Sequence, residues 1–354
     1  MAVKWKVNGW NAVLTDLPMS EVNWLALLLG VVVSMACTAL IRFLAIRRGW
    51  LDRPGVARVG SRPVPRLGGL AMYIAFVITV LVALWPVDLD SLGLLVGATL
   101  LVVLVLFDDI KGLRPRAKFS FQVLAAVVAI LFGLRIDVVS NPFGAGVLLL
   151  HIVVVIPFTL FWITGMINAI NFLDGLDGLA GGVVAIAALV LVILSIRLGL
   201  PDVATLALAL VAVILGFLPF NAYRSSIIMG DAGSNFLGFT VAVLAIMGPA
   251  KIATAMLVLG VPILDVVWSI GRRLVRRQNI AERDVEHLHH RLWEAGLSQP
   301  VIVLMYCLLA GVLGVIALLV ERVDKIYAFT GLAGLLLMLL VVLGRIPRQR
   351  KIPR

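Results

Sequence analysis

Long apolar runs separated by short polar segments occupy almost the whole chain. Windows of about 18 to 20 apolar residues, the length that crosses a bilayer at roughly 1.5 Å per residue, recur nearly end to end. The pattern predicts an all-α fold, a polytopic integral membrane bundle with about 10–11 transmembrane helices. The predicted spans lie at residues 23–46, 67–86, 92–107, 119–134, 147–165, 179–196, 203–219, 235–249, 252–270, 301–320 and 326–344.

The composition also indicates a membrane protein. Hydrophobic residues make up 62% of the 354-residue chain and charged residues only 14%, with a mean hydropathy of +1.11. Soluble domains are roughly half apolar and a quarter charged. No interval between spans is long enough for a soluble domain, so we expect residues 1–354 to form one membrane domain. Cys37 and Cys307 lie inside spans and predict neither a disulfide nor a zinc framework.

Positive charge predicts the orientation of the bundle, because Lys and Arg in short loops stay cytoplasmic. With the N-terminus outside and the C-terminus inside, 22 of the 30 Lys and Arg residues fall on the cytoplasmic side. Residues 1–22 are then an extracytoplasmic segment without the features of a cleavable signal, 271–300 a cytoplasmic loop and 345–354 a basic cytoplasmic tail. The net charge of +11 suits anionic membrane lipid or an anionic substrate, whereas no soluble basic domain exists to hold nucleic acid.

The unusual polar residues fall on this same predicted side. They occur in "LFDDIKG", "NAINFLDGLDGLAGG", "MGDAGS" and "EHLHHRL", which adjoin different spans. Because Lys and Arg alone set the orientation, the agreement of four segments indicates one cytoplasmic site. The residues are Asp108, Asp109, Asn168, Asn171, Asp174, Asp177, Asp231, His287, His289, His290 and Arg291.

Asparagine and aspartate recur every three residues from Asn168 to Asp177. On a helix such residues share a face, so we expect a polar ridge of about two and a half turns whose oxygens suit a hard cation. The alternative is helix capping, with Gly175 and Gly178 as turn formers. Two carboxylates beside a membrane are costly without a partner, which favours the ridge.

Two further segments place acids beside groups that bind anions. Asp108 and Asp109 point in different directions on a helix, so we expect separate roles for them unless neighbouring cations merely neutralise them. Lys118 and Gln122 are four residues apart, on one helical face, and suit phosphate oxygens. Asp231 precedes a helix N-terminus that offers free N–H groups to an anion; a bridging divalent cation explains this pairing better than an N-cap.

The late basic segment and one intramembrane acid complete the candidates. Phosphate contact explains the histidines and arginine of "EHLHHRL" better than zinc, because no Cys or further His lies nearby to complete a tetrahedron. Asp265 lies within a predicted span, where it either lines a cavity or pairs with a cationic side chain. The sequence leaves both readings of Asp265 open.

Oxygen ligands together with Lys, Arg and His indicate a magnesium-assisted reaction of a diphosphate, since Mg²⁺ binds through one or two protein oxygens plus substrate phosphates. A lipid is the natural second substrate in a membrane, and phosphoryl transfer needs chiefly positioning and charge neutralisation. The alternative class is a proton- or ion-coupled transporter that uses intramembrane carboxylates as a relay. Such a protein should carry acids near mid-bilayer, where only Asp265 is a candidate.

Five motifs resemble those of the polyprenyl-phosphate N-acetylhexosamine-1-phosphate transferases, which include the phospho-N-acetylmuramoyl-pentapeptide transferases. They are "RPVPRLGG", "FDDIKG", "NAINFLDGLDGLAGG", "MGDAGSNFLGF" and "HLHHRL", in family order within residues 35–340. The resemblance implies transfer of a sugar 1-phosphate from a UDP-amino sugar to polyprenyl (undecaprenyl) phosphate, releasing UMP, with Mg²⁺ as cofactor and Mn²⁺ as a substitute. It further implies an inner-membrane enzyme of cell-envelope glycopolymer synthesis, and a homodimer is common in the family.

The resemblance also implies a role for each matching residue. Asp108 and Asp109 are expected to be the catalytic pair, with Asp108 at the lipid phosphate. Asp231 and Asn171 are expected to bind the metal. The expected substrate-binding residues are Lys118 at the diphosphate, Asp174, Asp177 and Asn221 at the nucleotide, and His289, His290 and Arg291 near the phosphates and sugar.

Three departures from the pentapeptide branch bear on the donor. That branch typically shows "TPTMGG", a triple-histidine "PIHHHFE" and an aromatic residue three positions before the metal aspartate. This chain has "VPRLGG", "HLHHRL" and Ile228 there. The departures argue against a muramoyl-pentapeptide donor and favour UDP-N-acetylglucosamine, with other amino sugars such as N-acetylgalactosamine left open.

Overall fold

A computed structural model describes residues 22–52, 63–111, 115–140, 147–248, 251–278, 287–320 and 322–345. Within these ranges the chain forms thirteen helices and two short antiparallel strand pairs, which confirms the all-α prediction. The helices are α1 Leu25–Arg48, α2 Gly68–Ala83, α3 Leu89–Lys111, α4 Pro115–Leu131, α5 Ile152–Leu173, α6 Leu179–Arg197, α7 Pro201–Asn221, α8 Gly230–Ile246, α9 Lys251–Val258, α10 Gly260–Val275, α11 Leu288–Glu294, α12 Gln299–Leu319 and α13 Arg322–Arg345.

Each of the eleven predicted spans lies on a helix or a helix pair. By length and composition, α1, α3, α5, α6, α7 and α12 are each able to cross a membrane, and the bent pair α9–α10 counts as a seventh span. The other four predicted spans lie on α2, α4, α8 and α13. The chain is therefore a polytopic helical membrane protein, and the orientation of its termini stays a prediction.

Two predicted spans differ from the structure. The fifth span was expected to begin at residue 147, but Val147–Leu149 forms strand β4, paired with β3 at Val138–Ser140, and α5 begins only at Ile152. Apolar content does not separate a short strand from the first turn of a helix. The other strand pair joins β1, Leu51–Asp52, to β2, Val64–Pro65.

The ninth span was expected to be continuous over 252–270, but it breaks at Leu259. The axes of α9 and α10 differ there by 74°. Pro262 explains the position of the break, since proline has no backbone N–H and is tolerated only in the first turn of a helix. Pro262 is the third residue of α10. The expected loop 271–300 also contains the end of α10 and the short helix α11.

The centre of the bundle is α7 and α8. Every residue of α8 from Ala232 to Ala245 is buried, because α3 and α5 pack against it. Glycines permit the close approach: a Cβ added at Gly238 would lie 2.6 Å from the Cα of Ile167 in α5. Large apolar side chains such as Leu28 and Leu308 are exposed on the outer helices, where a lipid environment accommodates them.

Candidate functional site

The start of α2 lies directly against the start of α8. Backbone hydrogen bonds join the segment before α2 to the segment before α8: Ile228 N donates to Pro65 O at 2.9 Å, and Gly69 N donates to Met229 O at 2.8 Å. A side chain at Gly69 would overlap the backbone nitrogen of Gly233. The "PRLGG" and "MGDAGS" segments are therefore one structural unit, and their glycines make the contact sterically feasible.

Asp231, in the first turn of α8, is the acidic centre of this unit. Its Oδ1 accepts from the Arg66 guanidinium at 2.8 Å, and its Oδ2 accepts from Lys118 Nζ at 2.6 Å. Asp231 precedes the predicted span 235–249. Burial raises the pKa of its carboxyl, but Arg66 and Lys118 outweigh burial and hold that pKa below its usual value. Asp231 is thus an anion at neutral pH, beside two cations.

A series of side-chain amide hydrogen bonds connects α4, α5 and α8 next to Asp231. Asn168 donates to Gln122 Oε1 at 2.8 Å, Gln122 donates to Asn235 Oδ1 at 2.9 Å, and Asn235 donates to the backbone oxygen of Asp231 at 2.7 Å. Gln122 was expected to serve phosphate oxygens. Instead it is buried and bonded to Asn168 and Asn235, because those amides satisfy its polar atoms inside the bundle.

Asn171, one turn after Asn168, is joined to the same helix. Its Nδ2 donates to Ser234 Oγ at 2.8 Å, and Ser234 lies one turn after Asp231 in α8. Because the amide nitrogen of Asn171 donates to Ser234, its amide oxygen stays an acceptor, near the first turn of α8 that carries Asp231. The predicted metal ligands thus come from adjacent helix ends.

These oxygens fit a magnesium ion that shares its coordination with substrate. No group of three His, Cys, Asp or Glu suited to a metal ion occurs among the residues that the structure describes. A dedicated protein cage is not needed by Mg²⁺, which commonly binds one or two protein oxygens and takes the rest from water and phosphate. The Asp231 carboxylate and the Asn171 amide oxygen supply that number of hard ligands.

Asp108 and Asp109 lie in the last turn of α3, and their side chains fall outside what the structure describes. Their backbone position is informative. Lys111 ends α3 and Pro115 begins α4, so at most about 15 Å of chain separates the two helix ends. Lys118, in the first turns of α4, reaches Asp231. The backbone of Asp108 and Asp109 is therefore at the same end of the bundle as Asp231, and their catalytic role stays a prediction.

The expected ridge from Asn168 to Asp177 is wrong in its second half. Helix α5 ends at Leu173, Asp174 is its C-cap, and residues 174–178 form a turn before α6. Asp177 instead accepts from the backbone N and the Oγ of Ser225, at 3.1 and 2.8 Å. Gly175 and Gly178 lie in this turn, and Gly178, in the left-handed conformation, is the N-cap of α6, which agrees with the capping alternative in which the two glycines form a turn.

Asn221 fastens the same turn. It ends α7, its Oδ1 accepts from Gly178 N at 3.2 Å, and its Nδ2 donates to Ile227 O at 3.1 Å. Its side chain is buried, so here it holds the 174–178 turn against the segment before α8. The expected roles of Asp174, Asp177 and Asn221 at the nucleotide stay predictions.

The basic segment, residues 286–292, contacts the 174–178 turn through His289. His289 and His290 lie in α11, both buried, with ring centroids 4.1 Å apart. His289 Nε2 faces Gly175, where any side chain would overlap it. Burial, followed by the neighbouring His290 and His287, holds the pKa of His289 well below its usual value, so its ring is neutral at pH 7. Arg291 follows in the same helix, half-buried.

Several residues of this site were not predicted from the sequence. Arg66 lies in a motif that was recognised but was not itself assigned a role, Ser234, Asn235 and Ser225 received none, and the pairing of His287 with Asp265 was not predicted. A basic residue just before a glycine pair was the available signal for Arg66. The others gave none, because their importance comes from partners 22 to 113 residues distant.

Taken together, the fold and the site define a polytopic membrane protein with carboxylate, amide and basic side chains gathered at one end of its bundle. Residues 91–249 match the family model described as Glycosyl transferase family 4. The chain is 32% identical over 302 residues to a probable undecaprenyl-phosphate N-acetylglucosaminyl 1-phosphate transferase of Bacillus subtilis, covering 84% of each chain. It is 32% identical over 333 residues to the decaprenyl-phosphate N-acetylglucosaminephosphotransferase of Mycolicibacterium smegmatis, covering 84% of this chain and 81% of the relative.

A third relative is an undecaprenyl-phosphate alpha-N-acetylglucosaminyl 1-phosphate transferase of Yersinia pestis, 28% identical over 336 residues, or 91% of this chain and 90% of the relative. The similarity thus extends over nearly all of the described bundle. The chain belongs to glycosyltransferase family 4, as its five motifs predict.

Proposed function

We propose that this protein transfers N-acetylglucosamine 1-phosphate from UDP-N-acetylglucosamine to a polyprenyl phosphate, with Mg²⁺ as cofactor. The products are a polyprenyl-diphosphate sugar and UMP. The observation that carries the proposal is the Asp231 carboxylate beside Lys118 and Arg66, with Asn171 bonded to Ser234, whose hydroxyl donates to the backbone oxygen of Asp231. Relatives named for this chemistry support it.

The reaction forms one P–O bond and breaks another. An oxygen of the lipid phosphate attacks the phosphorus that carries the sugar, and the oxygen bridging the two donor phosphates leaves with UMP. A bound Mg²⁺ supplies charge neutralisation on the diphosphate, held by Asp231 and Asn171. Lys118 and Arg66 turn from Asp231 toward the phosphate oxygens, where they stabilise the charge that develops on the leaving group.

Asp108 is proposed to position the lipid phosphate or to remove its last proton. The second pKa of a phosphate monoester is near 6, so at pH 7 most of the acceptor is already a dianion. The Asp108→Asn variant separates the two roles. Near-normal turnover at pH 8 with loss at pH 6 supports proton removal, whereas equal loss at both pH values supports positioning.

We place the site on the cytoplasmic face of the cytoplasmic membrane. The supporting argument is the Lys and Arg bias, which sets the ends carrying Asp231 and His289 on the inner side. The lipid acceptor then reaches the site from the inner leaflet, between the exposed apolar faces of the outer helices.

The test is UMP release by the purified protein with undecaprenyl phosphate and a panel of UDP-sugars. We expect release from UDP-N-acetylglucosamine with Mg²⁺ and none with a chelator. Asp231→Asn should lower the rate at least about 100-fold, as removal of a group that stabilises transition-state charge does. Asp137→Asn, which removes an exposed acid paired with Arg135, is the matched control and should be neutral. Absence of UMP with every donor would overturn the proposal.

A further inference from the structure

Asp265 is a buried acid that none of the roles above uses. It lies in α10, past the break at Leu259, with 6% of its surface exposed. Both carboxylate oxygens have partners across 22 or more residues: Oδ1 accepts from Leu288 N at 2.9 Å, and Oδ2 bonds His287 Nδ1 at 2.9 Å. Asp265 therefore contacts the basic segment, through His287 and the backbone of Leu288.

The hydrogen bond links the charge of Asp265 to the tautomer of His287. As a carboxylate Asp265 can only accept, and the bond then requires the tautomer of His287 that carries its hydrogen on Nδ1. The Nε2 of His287 is buried, and among the described residues it has no hydrogen-bond partner. Leu288 is the first residue of α11, so the same carboxylate also satisfies one of the N–H groups that every helix start leaves free.

His287 transmits this constraint to the neighbouring rings. Its ring stacks on Phe172 at the end of α5, with centroids 5.1 Å apart. It is also parallel to His289, with centroids 5.9 Å apart and 2° between the planes. His289 in turn fills the space beside Gly175, and neither of its ring nitrogens has a hydrogen-bond partner in the part of the chain that the structure describes. Turning His287 would therefore move His289 against the 174–178 turn.

We propose that Asp265 is a positioning residue for the nucleotide-sugar donor. It holds His287 protonated at Nδ1 and α11 against the end of α5, so that His289, His290 and Arg291 face the diphosphate and sugar. This inference rests on the proposed function, because the donor is the ligand that the basic segment is expected to contact. The lipid phosphate, expected at Asp108 on α3, does not depend on the pair.

Asp265→Asn tests the pair with little change of shape. Asparagine has one acceptor oxygen where aspartate has two, so it can serve either Leu288 N or His287 Nδ1–H but not both. We expect the Michaelis constant for the UDP-sugar to rise about tenfold, the scale measured when a residue that orients a ligand group is lost. The Michaelis constant for polyprenyl phosphate should stay within about twofold, because that substrate is held elsewhere.

His287→Phe provides an independent variant, since phenylalanine keeps the stacked ring and loses the hydrogen bond. The double variant Asp265→Asn/His287→Phe should be no worse than the poorer single variant, because both changes remove the same interaction. Asp137→Asn is again the control. Equal increases for donor and acceptor, or additive losses in the double variant, would indicate a general structural role and overturn the proposal.

A second measurement needs no activity. The chain has four histidines, so ¹⁵N-histidine spectra of the wild type and of His287→Phe identify the His287 ring nitrogens. We expect a proton on Nδ1; an unprotonated Nδ1 would overturn the inference even if Asp265→Asn fails to fold. A wild type that releases no UMP overturns the proposed function instead. A wild type that is active, with Asp265→Asn indistinguishable from Asp137→Asn, overturns this inference alone.

Discussion

Asp231 shows how much one side chain depends on its partners. Two cations, Arg66 and Lys118, contact its two oxygens separately. Both cations are about one third exposed, so the pairs contribute little to stability in water-accessible surroundings. In the proposed reaction they act instead as counter-charges that turn from Asp231 to the substrate phosphates.

Gly175 is the residue of the 174–178 turn that contacts His289 of the basic segment. We expect Gly175→Ala to lower transferase activity about tenfold to hundredfold, because the added Cβ overlaps His289 Nε2 and displaces the ring by a fraction of its width. Gly175 lies outside the left-handed region, so the substitution does not strain the backbone. The measurement is the steady-state rate of UMP release.

Gly165→Ala is the matched control for that variant. Gly165 lies in the same helix that leads to the turn, and among the described residues its added Cβ meets nothing within 4 Å beyond its chain neighbours and its own helix backbone. Its activity should equal that of the wild type. If Gly175→Ala matched Gly165→Ala in rate, the contact between His289 and the turn would have no part in the reaction.

At the scale of elements, the site is built where helices end. Asp231 begins α8, Lys118 lies near the start of α4, and Asn171 lies near the end of α5. Helix ends carry free backbone groups and join loops, so polar side chains are satisfied there without entering the apolar layer. The crossing of α2 and α8 sets the distance between Arg66 and Asp231.

Gly69→Ala should separate those two helices. The added Cβ overlaps the backbone nitrogen of Gly233, and overpacking of this kind lowers the free energy of unfolding by about 1–3 kcal/mol. We expect a lower thermal midpoint together with a higher Mg²⁺ requirement, because Arg66 and Asp231 move with their helices. Thermal unfolding and Mg²⁺ titration of the rate measure the two effects.

Gly271→Ala serves as the control, because Gly271 is exposed in α10 and its added Cβ meets no atom within 4 Å. Replacing a helical glycine by alanine at such a place is neutral or stabilising by up to about 1 kcal/mol. A Gly69→Ala protein as stable as Gly271→Ala would show that the α2–α8 contact is looser than the structure indicates.

At the scale of the whole molecule, the orientation in the membrane is testable with single cysteines. With Cys37 and Cys307 replaced by alanine, we introduce Arg116→Cys near the site and Asp202→Cys at the start of α7. Both positions are exposed. A membrane-impermeant maleimide should label Asp202→Cys in intact cells and Arg116→Cys only after lysis, as the Lys and Arg distribution predicts. The reverse pattern would place the N-terminus inside.

The sequence predicted the helical bundle because each membrane span is one continuous run of apolar residues. Twenty or so apolar residues form a helix in lipid whatever their neighbours are, since backbone groups there must bond within their own segment. The family was likewise predicted correctly from the motifs. The early start assigned to α5 was wrong, because a short strand and the first turn of a helix have the same apolar content. The break in the ninth span was missed, although Pro262, which explains its position, stands in the sequence.

Which side chains meet was decided by the tertiary structure. Asp265 lies in an apolar run, and no local pattern connects it to His287, 22 residues later. The Asn168–Asp177 spacing indicated one continuous ridge. In the structure these side chains instead form hydrogen bonds to separate partners: Asn168 to Gln122, Asn171 to Ser234 and Asp177 to Ser225. Sequence therefore determined most of the helices and the family, because apolar runs and motifs are local properties. Partners across a hundred residues are chosen by helix crossing, where a single glycine fixes the distance of approach.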